Sequence, residues 1–299
     1  MKTFFALVRR NIQIFFKDKG SFFSSLITPI ILLVLYATFL AGVYRDVVEK
    51  FVPVAISGRE KLINGTVASV LLSSLLSTSC VTVAFCSNLL MVQDRVSGVY
   101  KDFLITPADK GSIAAAYFVS SFIATLIVAF AATAAGLIYM AVCGWYSSFS
   151  DVLLIFADVI LLSAFGTAVS SVVNSFIKTQ AQATAVGTIV SAGYGFLCGA
   201  YMPISSFGAG LQAFLSFLPG TYGTSLLRNH ALNGAISQME KLGFPEQAVT
   251  SVRQGFDCDI SFCGTHVAVW AMYAVVALAT AIALGAFIII NRRLKKKSK

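Results

Sequence analysis

The chain has 299 residues, of which 57% are hydrophobic and 12% are charged, and its formal net charge at pH 7 is +9. Its mean hydropathy is +0.83. So few polar side chains cannot cover the core of a soluble domain, and the composition therefore excludes a soluble enzyme or soluble binding module and indicates an integral membrane protein.

The first 20 residues have the pattern of an amphipathic helix. One face carries Phe5, Val8, Ile12 and Phe15 at helical spacing. The residues off that face are Arg9, Arg10, Gln13 and Lys17. A helix of this kind lies in the membrane interface with its apolar face towards the lipid. We therefore predict an N-terminal amphipathic interfacial helix over residues 1–20; the alternative is a basic anchor that only fixes the topology.

Six apolar windows follow, each long enough to cross about 30 Å of hydrocarbon as a helix. They lie at about residues 22–43, 66–92, 113–143, 152–176, 181–201 and 267–290. The sequence therefore predicts an all-α integral membrane protein with six transmembrane helices, which together form a single transmembrane domain over residues 1–299.

The basic residues predict the orientation of these spans. An even number of spans places both termini on one side, and that side carries 15 of the 22 Lys and Arg residues. By the positive-inside rule, both termini are cytoplasmic. The positive charge is then an orientation signal that requires no nucleic acid, and the basic tail at 291–299 is expected to touch anionic lipid headgroups. We expect a multi-pass protein of a bacterial plasma membrane.

A short charged stretch, residues 93–111, separates the second and third spans on the cytoplasmic side. It also carries an apolar surface: Val99, Phe103, Leu104 and Ile105. A solvated loop does not need such a surface, whereas a helix that docks into a groove of a cytosolic partner does. We predict a cytoplasmic helix here, continuing from the second span and ended by Pro107.

The fifth span has a small residue at every fourth position. These residues are Gly187, Ser191, Gly195 and Gly199. Small side chains on one ridge let another helix approach closely. Ordinary packing within the chain, a subunit interface and the wall of a transport pathway all remain open as interpretations.

Residues 202–265 lie between the fifth and sixth spans on the outer side. The apolar part, 202–225, is broken by Pro and Gly and predicts two short re-entrant helices, which are tolerated where protein buries the backbone. The polar part begins near Arg228 and predicts a small external cap that contains both histidines, His230 and His266. Cys258 and Cys263 are either a disulfide or two free thiols.

The sequence lacks the motifs that catalysis would need. It contains no HExxH, no CxxC and no GxxxxGK[ST], so the chain is expected to bind neither a metal nor a cofactor and not to be an enzyme. Asp158 is the one acidic residue well inside a span. It is expected to reach water or a partner near the outer end, or else to line a cavity or relay an ion.

Two segments resemble a known family. QDRVSGVYKDFLITPADKGS resembles the coupling segment of type-2 ATP-binding-cassette permeases, the type V exporters, and it matches at Asp94, Arg95, Gly98, Leu104, Thr106 and Pro107. GAYMPISSFGAGLQAFLSFLPGTYGTSLLR resembles the stretch after their fifth span, with matches at Gly199, Pro203, Leu211, Leu218, Pro219, Tyr222 and Arg228. The order of elements agrees over essentially the whole chain.

The resemblance implies a half-transporter that dimerises and binds two copies of a separate cytosolic ATPase, which holds ATP and Mg²⁺. Residues 94–107, including Asp102 and Phe103, would contact that ATPase. Spans one, two and five of both halves would line the central route. Six spans in 299 residues are expected to form a homodimer, although paired heteromeric halves also occur in the family.

Within this family, the sparse charge along the spans favours export of amphipathic molecules, such as drugs, antimicrobial peptides or lipids. Polysaccharides, teichoic acids and sodium are alternative cargoes. A subunit that senses a peptide and confers immunity without transport is another hypothesis, based on the polar cap. A stand-alone channel or carrier is a third, and it leaves the coupling-like helix unexplained.

Overall fold

A computed structural model describes residues 2–49, 58–105, 109–262 and 264–296. Thr106, Pro107 and Cys263 lie outside these ranges. The helices are α1 Lys2–Lys17, α2 Lys19–Leu35, α3 Ala41–Glu49, α4 Arg59–Val96, α5 Val99–Leu104, α6 Lys110–Cys143, α7 Phe149–Phe176, α8 Gln180–Leu197, α9 Ala209–Leu215, α10 Pro219–Lys241, α11 Glu246–Gly255 and α12 Val269–Lys296. A π-helical turn, Tyr36–Leu40, joins α2 to α3, a 3₁₀ turn, Ile204–Ser206, precedes α9, and a short hairpin pairs β1 Ser261–Phe262 with β2 Thr265–His266.

Among the described residues, five helices are long and apolar enough to cross a membrane. They agree with predicted spans one, two, three, four and six. The predicted fifth span, α8, has 18 residues and begins with two glutamines in its first three positions. At about 1.5 Å per residue it is roughly 27 Å long, just under the thickness of a bilayer core. The all-α membrane architecture is therefore observed, whereas the count of six spans stays a prediction.

The first span reaches farther than predicted. Helical structure runs from α2 through the π-helical turn into α3 and includes Glu49, six residues beyond the end of the predicted apolar window at residue 43. Tyr44 and Val48 are buried on the inner face of α3. Apolar residues at this spacing continue a helix although charged neighbours end the apolar window.

Helix α4 is the centre of the bundle. It packs against α2, α6, α7, α8 and α10 and is buried along its length. Its many serines and threonines keep its surface narrow, and their hydroxyls bond to backbone carbonyls one turn earlier, as Thr66 Oγ1 does to Leu62 O at 2.8 Å. At Gly166 of α7, an added Cβ would lie 2.9 Å from the Val81 backbone, so the two helices approach as closely as backbones allow.

Side-chain caps fix where the apolar helices begin. Ser148 and Asp151 form a reciprocal capping box at the start of α7, and Asp109 accepts a hydrogen bond from Gly111 N at 3.0 Å at the start of α6. The helices consequently begin a few residues before the apolar windows that predict them.

The two ends of the bundle are formed by different elements. The terminal end carries α1, α5 and the last turns of α12, and its core joins Leu7, Met91, Ile113 and Phe287 from four helices. The cap end carries α9, α11 and the β-hairpin. The start of α1 and the end of α12 thus lie at the same end of the bundle.

Helix α1 packs one face against the bundle and leaves the other face exposed. Val8 and Phe15 are buried as part of the predicted apolar face, but Phe5 is exposed and Leu7 is buried instead. The face is therefore rotated towards Leu7, because α1 packs on α6 rather than lying on lipid alone.

The observed packing of α10 differs from the external cap that the sequence predicts from Arg228 onwards. The sequence predicts a polar outer segment from Arg228 onwards, with His230 outside. In the structure α10 continues unbroken from Pro219 to Lys241, and it packs against α4, α7 and α12 with Arg228 and His230 buried. The polar residues misled the prediction because their partners lie on distant helices. Of the two short helices predicted for 202–225, only α9 is short, and a re-entrant path for either stays a prediction.

Candidate coupling and transport sites

The predicted coupling helix is α5, at the terminal end. Helix α4 ends at Val96, and Gly98 has a left-handed φ of 89°, which turns the chain sharply before α5 starts at Val99. Asp102 is exposed, and Ile105, directly after α5, is 86% exposed. These two side chains are available to a partner. Thr106 and Pro107 lie outside the described residues, so their part in the segment stays a prediction.

Asp94, also assigned to this segment by the sequence, is turned inwards. Both of its carboxylate oxygens are held by the guanidinium of Arg10, with Nη2 of Arg10 3.0 Å from Oδ1. The hydroxyl of Tyr117 donates to Oδ2 at 2.5 Å. Hydrogen bonding to Asp94 raises the pKa of Arg10, so the guanidinium stays charged. Asp94 therefore joins α1, α4 and α6, and its carboxylate is engaged within the chain.

Arg95 is likewise engaged within the chain. Its Nη1 donates to the backbone oxygens of Asn174 and Ser175 at 3.2 and 3.3 Å, and its guanidinium lies 5.5 Å from the centre of the Tyr100 ring. A cation at the last carbonyls of a helix satisfies them and complements the helix dipole. Arg95 thus caps the end of α7 and orients α5 through Tyr100.

A groove runs along the face formed by α2, α3 and α8. It consists of two cavities. The terminal-side cavity, of about 700 Å³, is lined by residues that include Asp18, Gln93, Gln180, Thr184 and Gly187. The cap-side cavity, of about 770 Å³, is lined by residues that include Tyr36, Phe39, Tyr44, Phe196 and Phe256. Ile31, Leu32 and Tyr201 line both cavities, which makes the groove continuous.

The groove changes character along its length. Amide and hydroxyl side chains line the terminal-side cavity, whereas aromatic rings line the cap-side cavity. The π-helical turn contributes Tyr36 and Phe39 to the cap-side wall, and such turns often occur at functional sites. An amphipathic molecule finds both polar and apolar contacts along this face.

The helices that line the groove differ in part from those predicted to line the central route. Helices α2 and α8, which correspond to predicted spans one and five, line the groove, and their place in a central route between two copies stays a prediction. Helix α4, expected as span two, contributes only Cys86, Leu89 and Gln93 near the terminal end, because the other helices enclose the rest of it.

The small-residue ridge of α8 divides into two parts. Gly187 and Ser191 line the terminal-side cavity, and an added Cβ at Gly187 would meet nothing within 4 Å. Gly195 is covered by the ring of Tyr201, which an added Cβ would approach to 2.2 Å. Gly199 has a left-handed φ of 75° and lies against Ile204. The ridge therefore serves cavity lining in its first half and packing within the chain in its second half.

The predicted outer motif is organised by Arg228, which is 1% exposed. Its Nη1 lies 3.0 Å from Oδ2 of Asp257, and its Nη2 donates to Gly199 O at 2.7 Å. Asp257 also accepts from the backbone N–H groups of Ile204 and Ser205. This network fastens the loop after α8 to α10 and to the cap.

The remaining motif residues shape the same region. Pro203 precedes the 3₁₀ turn, and Pro219 is the first residue of α10, where a missing N–H costs nothing. Tyr222 is buried, and its hydroxyl donates to Ser216 O at 2.6 Å. Sequence reasoning missed Asp257; a buried Arg requires a carboxylate, but several acids in the cap could have supplied it.

Asp158 has partners within the bundle. It is 1% exposed, its Oδ2 lies 2.6 Å from Nδ1 of His230, and the hydroxyl of Tyr273 donates to Oδ1 at 2.5 Å. The structure thus gives Asp158 two partners inside the bundle, and a role in lining a cavity or relaying an ion stays a prediction. The three residues come from α7, α10 and α12.

Cys258 is a buried thiol in the turn after α11, and its backbone oxygen accepts from Ser225 and Asn229. Because Cys263 lies outside the described residues, the disulfide stays a prediction. Within the ranges that the structure describes, no group of three His, Cys, Asp or Glu residues could hold a metal ion.

Comparison with known proteins identifies the family. The model of the ABC-2 type transporter family matches residues 2–231, which include α1, the coupling segment, most of the groove lining and more than half of α10. No curated protein matches the chain. Because the family match covers well over half of the sequence, the chain belongs to the ABC-2 type transporter family and is a multi-pass membrane permease of that family.

Proposed function

We propose that the chain is the permease subunit of an ATP-driven exporter for amphipathic molecules, such as drugs, antimicrobial peptides or lipids. It works as a homodimer in a bacterial plasma membrane, with both termini cytoplasmic. Two copies of a separate ATPase subunit bind ATP and Mg²⁺ and supply the energy. The observation that carries this proposal is the continuous groove between α2, α3 and α8.

The composition of the groove supports an amphipathic cargo. Ile31 shares the terminal-side cavity with hydroxyl and amide groups of α8, whereas the exposed apolar side chains of Leu35 and Phe39 line the cap-side cavity. Asp18, at the terminal end of the groove, is the one charged residue among those that line the two cavities. A bare ion would meet too few charged ligands here, whereas a molecule with an apolar body and a polar end is matched along the whole length.

A second copy of the chain would complete the route. The exposed faces of α8 and of the π-helical turn after α2 carry large apolar residues, including Phe39 at 67%, Ile189 at 69% and Phe196 at 53% exposure. Opposing two such faces around a twofold axis turns two open grooves into one enclosed passage. ATP-driven closure of the ATPase pair would push on α5 and widen that passage on the outer side.

A glycan exporter is the second candidate, and one observation favours it. Six aromatic side chains line the cap-side cavity: Tyr36, Phe39, Tyr44, Phe196, Tyr201 and Phe256. Aromatic faces of this kind also suit sugar rings. The hydroxyls of Tyr36 and Tyr44 face backbone carbonyls of Ala200 and Tyr201, at 3.4 Å each, and both side chains are buried. The exposed rings of Phe39 and Phe196 are the surfaces that a sugar would meet.

Transport into inverted membrane vesicles tests the proposal. Vesicles that contain the chain and its ATPase are expected to accumulate an amphipathic fluorescent dye in the presence of ATP. Gly187→Trp, which fills the terminal-side cavity, should abolish accumulation, whereas Ala131→Trp on the exposed face of α6 should not. Dye accumulation that is equal in all three proteins, or equal without ATP, would contradict the proposal. Loss of surface glycan on deletion, without dye transport, would favour the glycan exporter.

A further inference from the structure

Several hydroxyl groups that line the terminal-side cavity donate their hydrogen bonds within the chain. Thr184 Oγ1 donates to Gln180 O at 3.1 Å, and Thr188 Oγ1 donates to Thr184 O at 3.0 Å. The hydroxyl of Tyr201 donates to Ser191 O at 3.3 Å. A hydroxyl oxygen that donates its hydrogen in this way still carries lone pairs, so each of these groups presents acceptors to a cargo.

The charge on the wall of the groove is negative. Asp18 lines the terminal-side cavity, and its Oδ1 accepts a hydrogen bond from Gly20 N at 3.0 Å as the N-cap of α2. A carboxylate has about four acceptor positions, so it can accept from a ligand as well. The described residues that line the two cavities include no Lys, Arg or His. Lys17 and Lys19, which flank Asp18 in the chain, are exposed and line neither cavity.

The negative charge and the apolar walls of the groove are separated along α2. Asp18 precedes the helix, whereas Ile31 and Leu32 lie about 20 Å farther along it at the rise of an α-helix. Beyond them, the exposed rings of Phe39 and Phe196 line the cap-side cavity. A molecule whose polar head lies near Asp18 therefore places its apolar body against apolar side chains.

The polar groups of the terminal-side cavity do not treat all polar heads alike. The side-chain amides of Gln93 and Gln180 offer both donors and acceptors, and they suit a neutral head as well as a charged one. The carboxylate of Asp18 and the hydroxyl oxygens of Thr184 and Thr188 offer acceptors, which suit a head that donates. The balance of donors and charge in this cavity therefore favours a cationic head over an anionic one.

We propose that the groove selects cationic amphiphiles, whose ammonium or guanidinium head binds at Asp18 and at the threonine hydroxyls of α8. The inference rests on the proposed function, because it narrows the cargo of the same groove. Such a head donates several hydrogen bonds, and its charge complements the carboxylate. An anionic amphiphile would meet the same acceptors and the same negative charge, and it is rejected for that reason.

The test uses the complex of the full chain with its ATPase, reconstituted in nanodiscs of phosphatidylcholine, a lipid without net charge. The three probes share a dodecyl chain and differ in the head group: dodecylammonium, dodecanol and dodecanesulfonate. The rate of ATP hydrolysis is measured over a range of probe concentrations, which gives the concentration for half-maximal stimulation. We expect the lowest value for dodecylammonium and the highest for dodecanesulfonate. Added salt should reduce this difference, because Asp18 is exposed and its charge is screened.

The informative variant is Asp18→Asn, because Asn is as good an N-cap as Asp and the start of α2 is retained. It should raise the half-maximal concentration of dodecylammonium about fivefold and leave that of dodecanol unchanged. Each variant is compared with the wild type for one probe at a time, so differences in partition into the lipid cancel. Thr184→Val, which keeps the shape of the side chain and removes an acceptor, should act in the same direction. Glu246→Gln, which removes an exposed carboxylate in the cap, is the matched control and should equal the wild type.

Two results would overturn the inference and leave the proposed function in place. Equal half-maximal concentrations of dodecylammonium and dodecanesulfonate in the wild type would mean that the groove does not select by charge. An unchanged response of Asp18→Asn to dodecylammonium would place the cationic head elsewhere, for example on the rings of the cap-side cavity. Stimulation by none of the three probes in the wild type would contradict the proposed function itself.

Discussion

Nδ1 of His230 lies 2.6 Å from Oδ2 of Asp158, and this contact joins α10 to α7 inside the bundle. Tyr273 of α12 donates to the other carboxylate oxygen. A carboxylate without partners is costly inside a membrane protein, so the helix that carries it is held where the partners are. The contact therefore explains why α10, despite its polar sequence, is packed within the bundle.

His230→Ala is expected to destabilise the protein by about 1 to 3 kcal/mol, because it leaves the Asp158 carboxylate with one partner fewer in a buried site. The melting temperature in detergent measures this. His266→Ala is the control, since His266 has a side chain that is 62% exposed. Equal melting temperatures for wild type and His230→Ala would show that the contact contributes nothing to stability.

Arg228→Ala is expected to lower the free energy of unfolding by about 3 to 5 kcal/mol. The substitution leaves Asp257 buried without its cation and removes the donor to Gly199 O. Arg228→Lys keeps the charge but cannot reach both partners, so its cost should be smaller. The rate of limited proteolysis within residues 199–206 is the measurement. A loop that resists protease equally in Arg228→Ala and wild type would refute this role.

Two glycines on α8 form a matched pair. Gly195→Ala should destabilise by about 1 to 3 kcal/mol, because the new methyl group overlaps the Tyr201 ring. Gly187→Ala should be neutral or stabilising by up to about 1 kcal/mol, because it has space and reduces backbone entropy in the unfolded state. Thermal unfolding of both variants tests the division of the ridge. The reverse order of stabilities would contradict it.

Low pH is expected to destabilise the cap at α11. Hydrogen bonds from Arg253, assisted by His266, hold the pKa of Asp259 below its ordinary value despite partial burial. A depressed carboxylate pKa stabilises the folded state above the unfolded value of about 4, and the stabilisation is lost as pH falls through the lower folded value. Amide exchange in α11, corrected for intrinsic rates, should therefore accelerate below about pH 4.

The control for this pH effect is Arg253→Gln. It removes the group that depresses the pKa of Asp259, so protection of α11 should already be lower at pH 7 and should fall much less on acidification. A wild-type protein whose α11 exchange does not change between pH 5 and about pH 2 would exclude a role for Asp259 in this range.

Much of the architecture follows from local sequence patterns. Long apolar windows predict α4, α6, α7 and α12, because a membrane requires about 20 apolar residues in a helix. The heptad-like face at Val8 and Phe15 predicts α1, and the turn at Gly98 lies where the coupling segment is expected. These features depend on neighbours within one element, which the sequence displays directly.

The rest depends on contacts between distant residues. Arg10 with Asp94, Arg228 with Asp257 and Asp158 with His230 are separated by 84, 29 and 72 residues. Local sequence patterns do not predict contacts between residues so far apart in the chain. Hydropathy therefore treats α10 as an external polar segment and Asp94 as a surface residue, although each polar group is buried against a partner.

We propose that α5 and Ile105 form the docking surface for a separate ATPase. The most direct measurement is a mild-detergent pull-down of the tagged chain from its native membrane, with Ile105→Asp compared with the conservative control Ile105→Val. We predict that an ATPase of roughly 25 to 35 kDa, the size of one domain, is recovered with wild type and Ile105→Val and is lost with Ile105→Asp. Recovery of no ATPase with any of the three proteins would contradict the account.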